Sequence, residues 1–565
     1  MIYQNNNKNN KYLKNTKWLW IFVGLCAACS AADTANNTNN GRGGGTEGGP
    51  PAAGEAPKPV DFSAGEADAP AGSVCKVHAF DDNAVPECEQ KAPAGSFAPV
   101  LQWQWTAPEP APGSLFSGSF QTPLVANLTD DNGDGAVDLC DIPDVVVGAV
   151  DTFAYEGFRL VSTSSLHVLS GDTGALKLTF ASKVDTFVYP ALGDIDNDGL
   201  PEIVAGEPSG KLVAFETDGS VKWIGDPAGY QASFSSAQCV AVSLYDLEGD
   251  GDIEILAGFE VFNAQGKRLW GLPGNASEWD GQFWCVTPTA ADLDGDGSLE
   301  VLFGHVAYRA DGTLYFKLDG FAPGHPQVAN FDADPEPEIV LTNKDGLTIL
   351  EADGSIKLGP VRPTDPEPSP NCWGKPATVH DFDGDGKADI AAGTCSDFSV
   401  YSVAANALKP LWSSPVKDIS GLATASAFDF LGDGVADAIY ADESTIFVFD
   451  GADGSLLMTA QRSSATLIEY PVVADVDNDG SAELISISNY SAGGSGPAVS
   501  VLRDAEDRWI RTRRIWNQYA YHVTNVREDG VIPIAMKPSH NLLNTFRTNS
   551  QIEGGADCDP PEPPK

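Results

Sequence analysis

The sequence predicts an all-β fold, a β-propeller of four-stranded blades, on three observations. An acidic nine-residue loop recurs eight times between Asp130 and Glu483, each time after a short apolar run. The loops begin at Asp130, Asp194, Asp246, Asp292, Asn330, Asp381, Asp429 and Asp475, with spacings of 64, 52, 46, 38, 51, 48 and 46 residues. That is blade length and far too long for a β-helix coil. Around each loop an apolar strand such as PVVA or TPTAA enters and a β-branched strand such as EIVAG or EILAG leaves. A Gly-containing turn then precedes two more short alternating strands, as in KLVAFETDGSVKWIG. Eight repeats favour eight blades. Seven would follow if the long first unit, with its insertion around Asp141–Asp144, is atypical.

The loops carry oxygen ligands at positions 1, 3, 5 and 9 and usually Gly at 6, the pattern a hard cation such as Ca²⁺ requires. Five copies hold four carboxylates each: Asp194, Asp196, Asp198, Glu202; Asp246, Glu248, Asp250, Glu254; Asp292, Asp294, Asp296, Glu300; Asp381, Asp383, Asp385, Asp389; and Asp475, Asp477, Asp479, Glu483. The first copy, Asp130, Asn132, Asp134 and Asp138, exchanges one carboxylate for an amide. The fifth, Asn330, Asp332, Asp334 and Glu338, has Pro335 at the Gly position. The seventh has Leu431 between Asp429 and Asp433, with Asp437 at position 9, and is expected to bind weakly or not at all. Solvated acidic hairpins would need no metal, but 29 carboxylates in register repel strongly unless cations neutralise them. A loop of EF-hand type is excluded by the missing position-12 Glu and the strand-like flanks, and all-oxygen protein cages disfavour Mg²⁺.

The repeated D-x-D-x-D-G-x-x-[DE] core resembles the FG-GAP/VCBS repeats of integrin α-subunit heads and of many bacterial surface proteins, over about residues 93–550. The resemblance implies a Ca²⁺-binding propeller with the ion between neighbouring strands of a blade, the carbonyl of loop residue 7 as a further ligand, and six to eight ions in all.

Composition places the chain outside the cytoplasm. Lys8, Lys11, Lys14 and Lys17 precede a twelve-residue apolar run, Trp18–Cys29, too short to span a bilayer and suited to a signal peptide. Its end, Leu25-Cys26-Ala27-Ala28-Cys29-Ser30, resembles a bacterial lipobox with Cys29 lipidated, although Cys26 takes the usual Leu slot; ordinary cleavage and secretion is the alternative. The expected order is signal 1–29, a Gly/Ala/Pro/Asn/Thr-rich tether 30–72, an N-terminal segment 73–120, the propeller 121–520, an irregular extension 521–550 packed on it, and a disordered tail 551–565. Eight cysteines remain after Cys26 and Cys29, an even number that reads as disulfides. Cys239 and Cys285, each seven residues before its loop, form the best-motivated pair; Cys75–Cys88, Cys372–Cys395 and Cys140–Cys558 complete one set.

A formal charge of −45 argues against nucleic acid and anionic membrane surfaces. None of the seven histidines sits in a nucleophile–base arrangement, and no G-x-S-x-G, H-E-x-x-H or P-loop occurs. His380, directly before Asp381, reads more readily as a strand residue than as a functional one. The stretch Arg503–Tyr521 combines five arginines with Trp509, Trp516, Tyr519 and Tyr521, a set suited to sugar stacking. It reads more simply as a closing strand whose arginines pair with carboxylates. The Trp-rich run Val100–Trp105 would complete the last blade. The expected function is therefore an exported, surface-anchored, monomeric adhesion module for a protein or polysaccharide, touching the membrane only through its lipid. The rival rests on a second resemblance, to Ca²⁺-bearing eight-bladed polysaccharide lyases, which set a base beside the ion.

Overall fold

The computed structural model describes residues 59–60, 91–93, 95–156, 159–228, 239–272, 285–364, 372–404, 407–418 and 422–552. Eight sets of four antiparallel strands form the eight blades of a β-propeller, with Val188–Tyr189 and Cys285–Val286 adding parallel pairings to the inner strand Cys239–Tyr245 of blade 3. The eight-blade expectation holds, long first unit included. In blade 2 the strands run Ala191–Gly193, Glu202–Gly206, Lys211–Phe215 and Val221–Pro227 from inside to outside, and blades 3 to 7 repeat that order. Blade 8 differs. Its inner strands Val472–Ala474, Glu483–Ile487 and Val499–Asp504 come from the C-terminal end, and its outer strand is Pro99–Trp105. The ring is thus sealed by hydrogen bonds between the two ends of the repeat region.

Period-two alternation explains how each blade is buried. In blade 4, Val301 packs toward blade 3 with Tyr245, Leu256 and Val261. Its neighbour Leu302 packs toward blade 5 with Ile339 and Leu341. A blade alone would leave both faces wet, so the ring stands or falls as a unit.

A second device recurs at the periphery and is not apparent from the acidic pattern. An aromatic on or next to one blade's outer strand lies against a glycine in the next blade's outer hairpin. The pairs are Trp103–Gly174, Phe180–Gly219, Trp223–Gly266, Trp270–Gly312, Phe316–Gly354 and Trp412–Gly454, six of the eight interfaces. A Cβ on any of these glycines would come within 2.8 Å of the ring, and each has φ between 68° and 83°. The indole N–H groups of Trp103 and Trp270 donate to the carbonyls of Gly171 and Ala310 at 2.6 and 2.8 Å.

Cys239 and Cys285 are cross-strand partners and form a disulfide between blades 3 and 4; Cys372–Cys395 is the second. Cys140 is also oxidised. Cys75, Cys88 and Cys558 lie outside the described residues, as do the signal, lipobox, tether and tail. Disulfides indicate an oxidising compartment. No described helix is long and apolar enough to cross a membrane.

The run Arg503–Tyr521 is not the closing strand. Only Arg503 and Asp504 belong to strand Val499–Asp504, and the chain then turns across the axis. Trp516 pairs with Val125 of blade 1, and the Asn517 carbonyl accepts from Leu192 of blade 2. The Gln518 side chain accepts from Leu244 of blade 3. Asn544, Phe546, Arg547 and Arg513 then serve blades 5, 6, 7 and 8 at Asn330, Val379, Ala427 and Asp475. The C-terminal segment therefore covers the inner edge of seven blades, edges that would otherwise present unpaired backbone groups.

Trp103 is 1% exposed and belongs to the sealing strand. Trp103→Ala should cost about 3–5 kcal/mol, read as a lower denaturant midpoint; an unchanged midpoint would show that the strand contributes little to closure.

Candidate metal centres

The acidic loops lie between the first and second strands of the blades, and one hydrogen-bond pattern builds them. The position-1 carboxylate accepts the backbone N–H of position 6 at 2.7–3.1 Å in seven loops, from Gly135, Gly199, Gly251, Gly297, Gly386, Gly434 and Gly480. Those glycines all have φ between 82° and 96°, a region that side chains avoid. Position 2 is apolar and buried, and its N–H donates to the position-9 carboxylate in blades 2 to 8, for example Ile195 to Glu202 at 3.0 Å and Val476 to Glu483 at 2.9 Å. Position 9 is the first residue of the second strand in each of these blades. Turn, cage and strand register are thus set together.

Blade 5 departs as Pro335 requires. Proline has no N–H to donate, and Asn330 instead gives its amide to the Asp334 carbonyl at 2.7 Å and accepts from Asp332 N–H at 3.0 Å. Blade 7 lacks the position-3 oxygen because Leu431 stands there.

In blade 1 the second strand opens at Asp144 rather than at Asp138. Cross-strand pairing of Ala126 with Asp144 makes Asn127, Leu128 and Thr129 the counterparts of positions 1 to 3. The Asp130 loop is an insertion with its own turn, closed by Asp141, whose carboxylate accepts from Asp131 and Asn132 N–H at 2.8 and 3.2 Å. Among the described residues the Asp138 carboxylate accepts from the nearby Cys140 N–H at 2.7 Å. Asp141 and Asp144 thus take the role that sequence spacing gave to Asp138. The cue was present in the length of this unit.

The residues fit a hard cation. Carboxylate oxygens of Asp194, Asp196 and Glu202, of Asp292, Asp294 and Glu300, and of Asp381, Asp383 and Asp385 converge within 4.8 Å of one another. All donors are oxygen, as such an ion requires. In blade 8, Glu483 is fully buried and its Oε1 has no hydrogen-bond partner, the situation a bound cation would relieve.

The aromatic and arginine cluster is absorbed by the protein itself. Trp509, Trp516, Tyr519 and Tyr521 are at most 3% exposed. Trp516 stacks on Tyr521 at 4.2 Å, and Arg547 lies over Tyr519 at 5.1 Å. Arg513 donates to the Tyr521 hydroxyl and the Val523 carbonyl, while Arg514 holds Glu528 and the Leu139 carbonyl. These rings cannot stack on an external sugar without unplugging the axis. His380 ends the inner strand Thr378–His380, and burial lowers its pKa to about 4.

The fold and its loops define the class, an eight-bladed β-propeller that carries FG-GAP-like repeats in two places. The FG-GAP-like repeat model matches residues 194–257 and 330–392. Among solved structures the chain is similar to the biofilm matrix protein Bap1 of V. cholerae, at 21% identity and a TM-score of 0.62, covering 81% of this chain and 100% of that one. A rhamnogalacturonan lyase of Bacillus licheniformis aligns at 16% identity and a TM-score of 0.49, over 81% of this chain and 83% of that one. No curated protein matches the sequence.

In the metal-free protein these carboxylates invert the usual pH dependence. Burial pushes Glu300 up to about 7, with repulsion from Asp294 adding to it, and pushes Asp389 up to about 7, where Asp383 adds. A carboxyl whose folded pKa lies above its unfolded value near 4 favours the fold while protonated, and that contribution is lost as pH rises through the folded value. In chelator the melting temperature should therefore fall between about pH 5 and pH 8, and a rise over that window would refute the assignment.

Proposed function

We propose that this chain is an exported Ca²⁺-binding propeller acting as a non-enzymatic adhesion module, monomeric, holding a protein or polysaccharide on one face. Calcium held by the acidic loops is structural and stiffens turns that would otherwise repel themselves. In this reading the ligands of any ion held come from Asp130, Asn132, Asp134 and Asp141 of the inserted loop and from positions 1, 3, 5 and 9 of the complete loops. The anchor is the lipidated Cys29, and no nucleic acid is bound.

The observation that carries this reading is the filled axis. The basic groups of the C-terminal segment are consumed internally. Arg513 and Arg514 are bound as above, and His522 lies between the Ala520 carbonyl and the Met536 sulfur. What remains outward is a broad acidic surface of rigid turns, suited to recognition. The reading is of the same kind as the matrix role by which Bap1 is described.

Two measurements test it. Each ion held at a hundred times its Kd contributes about 2.7 kcal/mol, so chelation should lower the melting temperature markedly; an unchanged melt removes calcium from the account. The protein is also applied to arrays of acidic polysaccharides and cell-surface proteins in Ca²⁺ and in EGTA, with ultraviolet detection of unsaturated sugars. Calcium-dependent retention without product is expected, whereas new absorbance would make the protein a polysaccharide lyase.

A further inference from the structure

The eight loops are not electrostatically equivalent. In blade 2 the ammonium of Lys222, on the outer strand Val221–Pro227, lies 2.6 Å from Asp196, 2.9 Å from Glu202 and 3.0 Å from Glu216. Blade 5 repeats the arrangement: Lys357, on Ile356–Val361, contacts Asp332, Glu338 and Glu351. Blade 4 reaches it by another route. Arg309, directly after the third strand Val306–Tyr308, contacts Asp294 at 2.9 Å and Glu300 at 3.2 Å while its guanidinium lies over the Tyr315 ring at 4.7 Å. In blade 1 Lys177 bridges the counterparts Thr129 and Asp144, both at 2.9 Å. Each time a fixed cation joins position 3 to position 9.

In blades 3, 6 and 8 no such bridge is found among the described residues. Strand register puts Leu269 of blade 3 where Lys222 stands, since Phe215 pairs with Val221 and Phe262 with Arg268. In blade 6 Lys387 turns outward to Asp385 at 2.7 Å. In blade 8 the register position is Gln102, whose amide donates to Asp477 at 2.7 Å. Arg503 holds Asp507 at 2.8 Å and bears on Asp477 and Asp479 through its charge, and Glu483 Oε1 keeps no hydrogen-bond partner.

We propose that Lys222, Arg309 and Lys357 are built-in counter-ions standing in for the metal, so that the loops of blades 2, 4 and 5 hold no tightly bound ion while those of blades 3, 6 and 8 do. The proposal rests on the calcium reading above and divides the loops within it. A buried position-9 carboxylate needs a positive partner when ionised: Glu202 and Glu338 are fully buried and Glu300 is 1% exposed. An ion would need the same oxygens at about 2.3–2.6 Å, and its charge would lie against the lysine that already holds them. Ion and ammonium are therefore alternatives. Blade 5 shows the outcome of that redundancy, since its loop has Asn330 for Asp and Pro335 for Gly yet keeps Lys357. Blade 2 is the stringent case, because its loop has every ligand and reads as the best site in the sequence.

The test counts Ca²⁺ bound by the whole protein, by equilibrium dialysis and metal analysis. Lys222→Gln should bind one more ion than the native protein, and Lys357→Gln is the second case. Lys222→Arg, which keeps the charge, and Lys409→Gln, an exposed lysine on the outer strand of blade 6, should leave the count unchanged. In EDTA Lys222→Gln should melt below the native protein and recover on adding Ca²⁺, which separates a vacated site from a damaged fold. An unchanged count in Lys222→Gln, with the native protein already carrying an ion in every complete loop, overturns the proposal and leaves the calcium reading intact. No bound ion in any variant brings down the calcium reading and the proposal together.

Discussion

A carboxylate at the first residue of the second strand, buried and bonded to the N–H of loop position 2, recurs in blades 2 to 8 and governs much of the rest. It fixes the register between loop and strand, as Glu202 does through Ile195 and Glu254 through Leu247. It also commits the blade to burying a negative charge at that point, which costs several kcal/mol without a partner. A metal ion and a tethered ammonium are two ways to meet the same electrostatic demand. Blades 8 and 2 stand at the two ends of that choice, one with an orphaned Glu483 oxygen and one with Lys222 in contact.

Much of the architecture was readable from the chain because the acidic loop is local: its turn, glycine and position-9 residue fall within nine residues. Eight copies gave eight blades, and the shared offset of Cys239 and Cys285 gave the inter-blade disulfide. Determinants that lie far apart in sequence leave no such local mark. Whether a loop contacts a lysine depends on an outer strand some twenty residues on, whose side-chain direction the loop does not reveal. Blade 1 misled for a different reason. Asp138 sits at the expected spacing, yet hydrogen bonding selects Asp141 and pairing selects Asp144.

The arginines and aromatics of the C-terminal segment show the same limit. By composition they suit a carbohydrate surface. Their burial instead satisfies the inner edges of seven blades and fills a space that an eight-fold ring leaves too wide for its own inner strands to close. The loops and this segment also touch: Gly530 accepts from Asp194 N–H at 2.9 Å, and Asn544 bonds Asn330 at 2.7 Å. Order in the acidic turns and order in the axis are mechanically joined.

The seal between Pro99–Trp105 and Val499–Asp504 has a consequence in time. The strand made early in synthesis meets its partner only after some four hundred further residues have followed. Until then Trp103 and an open strand edge have nothing to pair with, so any product cut short before the eighth repeat emerges sticky and unfinished. The loop-closure entropy of that one pairing falls on the last step. Completion of the chain thereby becomes its own quality control, because the ring cannot shut around a missing end.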